Sequence, residues 1–227
     1  MQEKQQMLGA RLSSAIPYVT QGGCVADVGT DHAYLPIHLV REGIVSRAVA
    51  CDINEGPIES ARAHIAAAGL SDRIATLRTD GLCGVEPFAP NDILVFGMGG
   101  ELIARILSEA PWIRNGAIQL ILQPMSRASV LRRWLCENGF SILGETLSYE
   151  EKYYQTVAAR YTGEKTAWSD AEYAVGRLNI QTRPPLFEGF LRHEIAVLNK
   201  ILAGKARSED ADAGAERQLK QCLEELL

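Results

Sequence analysis

Five short apolar runs, at residues 24–28, 48–51, 74–78, 92–96 and 118–122, alternate with longer stretches of helical character. Runs this short and this apolar suit strands covered on both faces. Parallel strands need a crossover of a dozen or more residues, and the stretches between the runs supply it. The expected helices span about 33–41, 56–68, 101–108 and 127–137. Pro57 sits at a tolerated first-turn position and Gly69 at a C-cap. Leu8, Leu12, Ile16 and Val19 predict an amphipathic helix over about 8–18. Residues 140–147 and 154–161 read as a closing antiparallel pair. The fold class is α/β, a mostly parallel sheet with helices on both faces.

Beyond about Trp168 no strand signal remains. Pro184-Pro185 breaks the chain, and Phe187, Phe190, Leu191, Ile195, Leu198 and Leu202 then share one helical stripe. Residues 205–215 read as a turn, and Leu219, Leu223 and Leu226 form a second stripe. Two antiparallel helices would bury the stripes against each other. The expected division is residues 1–163 for the sheet and 164–227 for a helical domain.

Composition excludes several classes. In 227 residues, 47% are hydrophobic and 22% charged, as in soluble proteins, and no apolar run approaches membrane-spanning length. The polar first residues lack a signal-peptide core, so a cytoplasmic location is expected. Cys24, Cys51, Cys83, Cys136 and Cys222 are scattered and never spaced CxxC, which indicates reduced thiols. No histidine pair stands at ligand spacing, so no metal is expected. The formal charge of −5 means that a nucleic-acid partner needs a local basic patch. A monomer is expected.

The strand ends carry the chemistry. Asp27-Val28-Gly29-Thr30-Asp31-His32 closes the first run. In an open α/β sheet, ligands bind outside the carboxyl ends of the strands. Gly29 permits a sharp turn and close approach of a ligand to the backbone. The three-glycine dinucleotide fingerprint is missing, and Asp31 would repel a pyrophosphate. A ligand carrying positive charge and no phosphate fits better, and S-adenosylmethionine is one. Asp52 ends the second run, where an acidic residue commonly accepts from ribose hydroxyls. Asp80 follows the third run and suits an adenine amino group, although a turn aspartate before Gly81 explains it equally well alone. The three acidic ends recur at intervals of 25 and 28 residues and reinforce one another. Gly97-Met98-Gly99-Gly100 follows the fourth run and implies close backbone approach to a ligand.

The motifs Asp27–Pro36, Gly56-Pro57, Asp80-Gly81-Leu82, Gly97-Met98-Gly99-Gly100 and Gln123-Pro124 resemble those of the bacterial TrmK family of tRNA (adenine-N1)-methyltransferases, which modify adenosine 22. The resemblance covers nearly the whole chain. It implies a Rossmann-like, class I S-adenosylmethionine-dependent methyltransferase domain followed by a helical, coiled-coil-like domain. The implied cofactor contacts are Asp27, Gly29, Thr30 and His32, then Asp52, Ile53 and Asn54, then Asp80, Gly81 and Leu82, and finally Gly97, Met98 and Gly99.

Adenine N1 carries a lone pair and yields a cationic product, so a carboxylate near the base would assist. Asp31 is the candidate catalytic group, with an N-cap role as its bland alternative. Tyr34 borders the target base or packs at the helix start. Gln123 and Pro124 join it as expected substrate contacts. Arg127, Arg132 and Arg133 form the best basic cluster for phosphates, with Lys4, Arg11 and Lys152 as additions, although a solvated helix face also explains Arg132 and Arg133. A methyltransferase acting on another RNA, a small molecule or a protein, and a non-catalytic protein retaining the fold, are the competing readings.

Overall fold

The computed structural model describes residues 8–206 and 212–227. Five parallel strands, β1 (Cys24–Val28), β2 (Arg47–Asp52), β3 (Ile74–Arg78), β4 (Asp92–Met98) and β5 (Gln119–Pro124), are joined by α-helical crossovers, except between β3 and β4, where the chain makes only a 3-10 turn at Glu86–Phe88. An antiparallel hairpin, β6 (Phe140–Tyr149) and β7 (Tyr153–Tyr161), completes a seven-stranded sheet of order β3-β2-β1-β4-β5-β7-β6. The last strand in the chain therefore lies inside the sheet and the hairpin's first strand forms its edge. Strand order reverses between β1 and β4, which opens a crevice at their carboxyl ends.

The apolar runs divide their side chains between two cores, as the two-residue period of a strand requires. Val49, Cys51, Ile93, Val95, Leu120 and Leu122 face α4 (Gly100–Ser108) and α5 (Ala128–Glu137). Ala48, Ala50, Leu94, Phe96 and Ile121 face α2 (Tyr34–Arg41) and α3 (Glu55–Ala67). The expected opening helix is instead a single turn, α1 (Ala10–Ser13), followed by a 3-10 turn at Ile16–Tyr18. Pro17 has no N–H to continue the helix, and its ring displaces the preceding turn. Leu8, Leu12, Ile16 and Val19 still pack on the second core.

The C-terminal part holds two short helices that the apolar spacing did not signal, α6 (Asp170–Val175) and α7 (Arg177–Thr182). Ser169 and Glu172 form a capping box at the start of α6, a pattern legible in the sequence. Gly176, at φ +92°, separates the two helices. The long pair follows as α8 (Phe187–Lys205) and α9 (Gly214–Glu224), which pack on each other. Part of the expected 205–215 turn lies outside the described residues. Phe187, Phe190, Leu191, Ile195, Leu198 and Leu223 form a third core with Leu147 of β6 and Tyr153 of β7. Among the described residues no helix is long and apolar enough to cross a membrane.

One buried ion pair ties these parts together, and it overturns an expectation. Arg132 of α5 is fully buried, so it cannot meet a phosphate. Its Nε donates to Glu145 Oε1 at 2.7 Å, and one Nη donates to Gln155 Oε1 at 2.8 Å. The other Nη donates to the carbonyls of Tyr173 and Ala174 at 3.0 and 3.2 Å. Glu145 Oε2 accepts the amide of Leu178 at 2.8 Å. Removing the guanidinium strands a buried carboxylate, and such losses typically cost about 3–5 kcal/mol. We expect Arg132→Ala to lower unfolding free energy by about that amount in urea melts. A loss under 1 kcal/mol would refute a structural role for the pair.

Candidate active site

A cleft of about 470 Å³ opens at the carboxyl ends of β1, β2 and β4. Asp27, Gly29, Thr30, Asp31, His32 and Tyr34 line it from β1 and the turn into α2. Asp52 closes one side, and Phe96, Gly97 and Met98 close the other. Arg11 and Leu12, from the N-terminal segment, lie across the mouth.

The turn after β1 is built by backbone bonds. Gly29 takes φ +80°, and the amides of Gly29 and Thr30 both donate to the Cys51 carbonyl, at 2.8 and 2.9 Å. The loop is thus tied over the end of β2. Thr30 Oγ1 accepts the Ala33 amide at 3.1 Å, and Ala33 enters α2 at φ +55°. This threonine supplies the turn contact that an N-cap role would have assigned to Asp31. Asp31 instead projects outward, its side chain 78% exposed, and meets His32 Nε2 at 3.1 Å. His32 Nδ1 lies 2.7 Å from Ser60 Oγ. The tautomer that satisfies both contacts donates from Nε2 to Asp31 and accepts the serine hydroxyl at Nδ1. The His32 ring also contacts those of Tyr34 and His64, at centroid distances of 5.1 and 5.3 Å.

Two carboxylates differ sharply from Asp31. Asp27 is only 8% exposed, and burial raises its pKa from 3.8 to about 6, against lowering by the Thr30 hydroxyl and Arg11 and with a further rise from Asp52. Asp92, at the opposite end of β4, is also buried and raised by desolvation, but Thr20 donates to it twice, at 2.8 and 2.9 Å. Asp52 turns one oxygen to the Asn54 amide at 2.7 Å, so its other oxygen is the one available to the cleft. Burial and the two neighbouring carboxylates push the Cys51 thiol up to about 12, so it stays protonated.

The three glycines at the junction of β4 and α4 serve different needs. Gly97, at φ +82°, is the extra residue of a bulge against β5. Gly99 caps α4 in an extended conformation. Gly100 packs on the backbone of Ser126 and Arg127, where a Cβ would collide with the Arg127 carbonyl. Only the first of these faces the cleft.

Several expected residues lie elsewhere. Ile53, Asn54, Asp80, Gly81 and Gly99 do not line the cleft. Asp80 pairs with Arg105 at 3.6 Å. Cys83 is exposed in the same turn. The Leu82 side chain is buried in the first core beneath α4. Pro124 and Gln123 are buried at the end of β5. Gln123 makes both its hydrogen bonds to Arg11, which corrects its expected substrate role. Arg133 pairs with Asp170 at 2.9 Å and lies over the Tyr173 ring. Arg127 is exposed, with Glu101 at 3.9 Å. With Arg132 buried, the three arginines form no common patch. Lys152 is exposed near Tyr154, and Lys4 lies outside the described residues. The sequence suggests Arg11 only as a phosphate contact; it stands 86 residues before Gly97, so no local spacing signals their proximity. No group of three His, Cys, Asp or Glu suited to a metal occurs among the described residues.

Asp27 makes stability depend on pH in a definite direction. Its folded pKa lies above the unfolded value, so the native state holds the proton more tightly. Stability from this group is therefore greatest below about pH 4, falls as pH rises towards about 6, and is flat above. At pH 7 the buried charge costs on the order of 3 kcal/mol. We expect Asp27→Asn to raise the unfolding free energy at pH 7 and to flatten its slope between pH 4 and 6, read by urea melts across pH. An unchanged slope would show that Asp27 titrates normally.

Comparison with known proteins places this cleft. The methyltransferase-domain family model matches residues 8–157. A Bacillus subtilis tRNA (adenine(22)-N(1))-methyltransferase is 33% identical over 172 residues, covering 75% of this chain and 72% of the relative. A Streptococcus pneumoniae protein solved in complex with S-adenosyl-L-methionine superposes with TM-score 0.86 at 32% identity, over 97% of this chain and all of that one. The crystal structure of the B. subtilis M1A22 tRNA methyltransferase TrmK superposes with TM-score 0.82 at 28% identity, over 97% and 96% of the two chains. The sheet order, the cleft and the appended helices are those of a Rossmann-like class I methyltransferase fold with a C-terminal helical extension. On the extent of the sequence match and of the superposition together, the chain belongs to the TrmK family of bacterial tRNA (adenine(22)-N1)-methyltransferases.

Proposed function

We propose that the protein transfers the methyl group of S-adenosyl-L-methionine to N1 of adenosine 22 in tRNA. The observation that carries this reading is the cleft itself: a positive-φ glycine turn flanked by Asp27 and Asp52 at the ends of adjacent strands, in a chain of this family. When bound, the donor supplies a sulfonium methyl that an adenine lone pair attacks directly. The donor set fits that group. Asp27 is a desolvated carboxylate suited to an ammonium, and the free oxygen of Asp52 suits a ribose hydroxyl.

No proton has to leave before N1 attacks, so the chain needs no general base for that step. It needs a group that favours the positive charge developing on the base. Asp31 has that role in this reading. Asp31 lines the cleft, and its exposed carboxylate meets His32, which contacts Ser60 in turn. Tyr34, packed against His32 and His64, offers a ring to border the base. The base must leave its stack to reach the cleft. Arg127 and Lys152 are exposed cations available to the phosphate backbone. The helical unit, residues 164–227, orients the tRNA beside the sheet unit, residues 1–163; the third core, which gathers α8 and α9 on the β6–β7 hairpin, fixes the one against the other. A cytoplasmic monomer that uses no metal belongs to the same proposal.

The test is methyl transfer to tRNA carrying unmodified adenosine 22, with nuclease mapping of the product. 1-Methyladenosine at position 22 is expected; transfer to another position or to no tRNA would overturn the assignment. Asp31→Asn is expected to lower the single-turnover rate about 10- to 100-fold and to leave donor affinity within about twofold. Equal loss of both would make Asp31 a donor ligand instead.

Asp27 also fixes a pH dependence for binding. An ammonium pairs with the ionised carboxylate, so the donor must displace a proton below the folded pKa of about 6. We expect the dissociation constant measured by calorimetry to be flat above pH 7 and to rise about tenfold per pH unit below about 6. A flat profile down to pH 5 would remove Asp27 from the ammonium site.

A further inference from the structure

The tip of the β6–β7 hairpin carries aromatic rings that the cleft does not use. β7 runs antiparallel to β5, with Leu122 opposite Val157, so the hairpin's turn lies at the carboxyl edge of the sheet, on the side of the cleft. Tyr149 and Tyr153 are the last register pair before that turn. Their rings stand 4.8 Å apart at 60°. Tyr149 shares a face of β6 with Leu147, which belongs to the third core. Leu147 is buried, whereas Tyr149 is 50% exposed.

A single exposed ring is ordinary, but this one is held in place. Tyr153, on which it rests, lies 5.8 Å from the Phe190 ring and 5.6 Å from that of His193. A Cβ at Gly189 would collide with the Tyr153 hydroxyl, so this glycine of α8 makes the seat for that ring. The Glu150 amide donates to the Lys152 carbonyl at 3.2 Å and closes the turn. Glu150 Oε1 accepts the amide of Arg11 at 2.8 Å, in the segment across the cleft mouth. The tip is therefore tied to the cleft on one side and to α8 on the other. With Glu150 engaged, Glu151 and Lys152 are the turn's exposed charges and offset each other. What the tip offers a partner is ring surface and not net charge.

We propose that Tyr149 is a stacking platform for an unpaired base of the tRNA, beside the adenosine that enters the cleft. This rests on the proposed function above. Taking one adenosine out of its stack uncovers the faces of its neighbours. An aromatic side chain covers such a face whatever the base is. A ring already seated on Tyr153 loses little freedom when a base stacks on it. RNA that reaches both the cleft and the helical unit crosses the tip between them.

The test compares wild type, Tyr149→Ala and Tyr149→Phe on tRNA carrying unmodified adenosine 22. Tyr149→Ala is expected to raise the tRNA dissociation constant about 5- to 50-fold. Its affinity for S-adenosyl-L-methionine should stay within about twofold of wild type. Tyr149→Phe should match wild type for both ligands, because stacking uses the ring and not the hydroxyl. The slope of tRNA affinity against salt should be the same in Tyr149→Ala, since stacking releases no counterions. 2-Aminopurine placed singly at the two nucleotides flanking adenosine 22 reads the stack directly. At one of them the complex with wild type should fluoresce less than the complex with Tyr149→Ala. Thermal melts of each variant confirm the fold. Unchanged tRNA affinity in Tyr149→Ala, a Tyr149→Phe variant equally defective, or equal fluorescence in both complexes overturns the proposal. So does a wild type that sediments as a dimer with a Tyr149→Ala variant that sediments as a monomer, which would give the ring to a second copy of the chain. Wild type that transfers no methyl group to tRNA would instead bring down the proposed function itself, and this inference with it.

Discussion

The buried pair of Arg132 and Glu145 sets the terms on which the rest of the molecule is assembled. Both side chains are fully excluded from water. Their attraction offsets the desolvation only when the remaining donors and acceptors are also satisfied. Those partners come from β6, β7, α6 and α7. The edge hairpin, α5 and the first C-terminal helices must therefore be in place together. The third hydrophobic core forms on that junction, with Leu147 and Tyr153 reaching from the hairpin into the helical part. The hairpin that closes the sheet is thus also the platform for α8 and α9.

At the other end of the sheet the same chemistry is used differently. Asp92 and Asp27 are both buried carboxylates on central strands. Asp92 is satisfied by two bonds from Thr20 and has a structural task. Asp27 lines the cleft instead, and burial there raises its pKa to about 6. A carboxylate kept dry and incompletely paired is costly to the free protein and poised for a cation. Asp31, a few residues on, is exposed and held by histidine. Burial thus gives two aspartates of one short motif different surroundings.

The same division runs through the glycines and the N-terminal segment. In Gly97-Met98-Gly99-Gly100, one glycine makes a bulge at the cleft and another makes room for the Arg127 backbone. A glycine-rich strand end is thus a record of close approach without naming what approaches. Arg11 reaches the cleft from the short opening helix, whose backbone Gln123 ties to the end of β5.

The sequence by itself determined the five parallel strands, their crossovers, the hairpin and the paired terminal helices, because two-residue and 3.6-residue periods are local properties. It also located Asp27, Gly29, Asp52 and Gly97 at strand ends, since parallel connectivity sends every such end to one edge of the sheet. The Ser169–Glu172 capping box of α6 is a sequence pattern too, but a reading by apolar spacing passes over it. What periodicity could not decide was which charged side chains meet across distant elements. Arg132 and Arg133 are neighbours on one helix, yet one is sealed under α6 and the other is half exposed. Gln123 reads as a polar strand end, and only the packed chain turns its amide onto Arg11. Burial and partnership depend on contacts between residues far apart in the chain, and those exist only once the tertiary structure has formed.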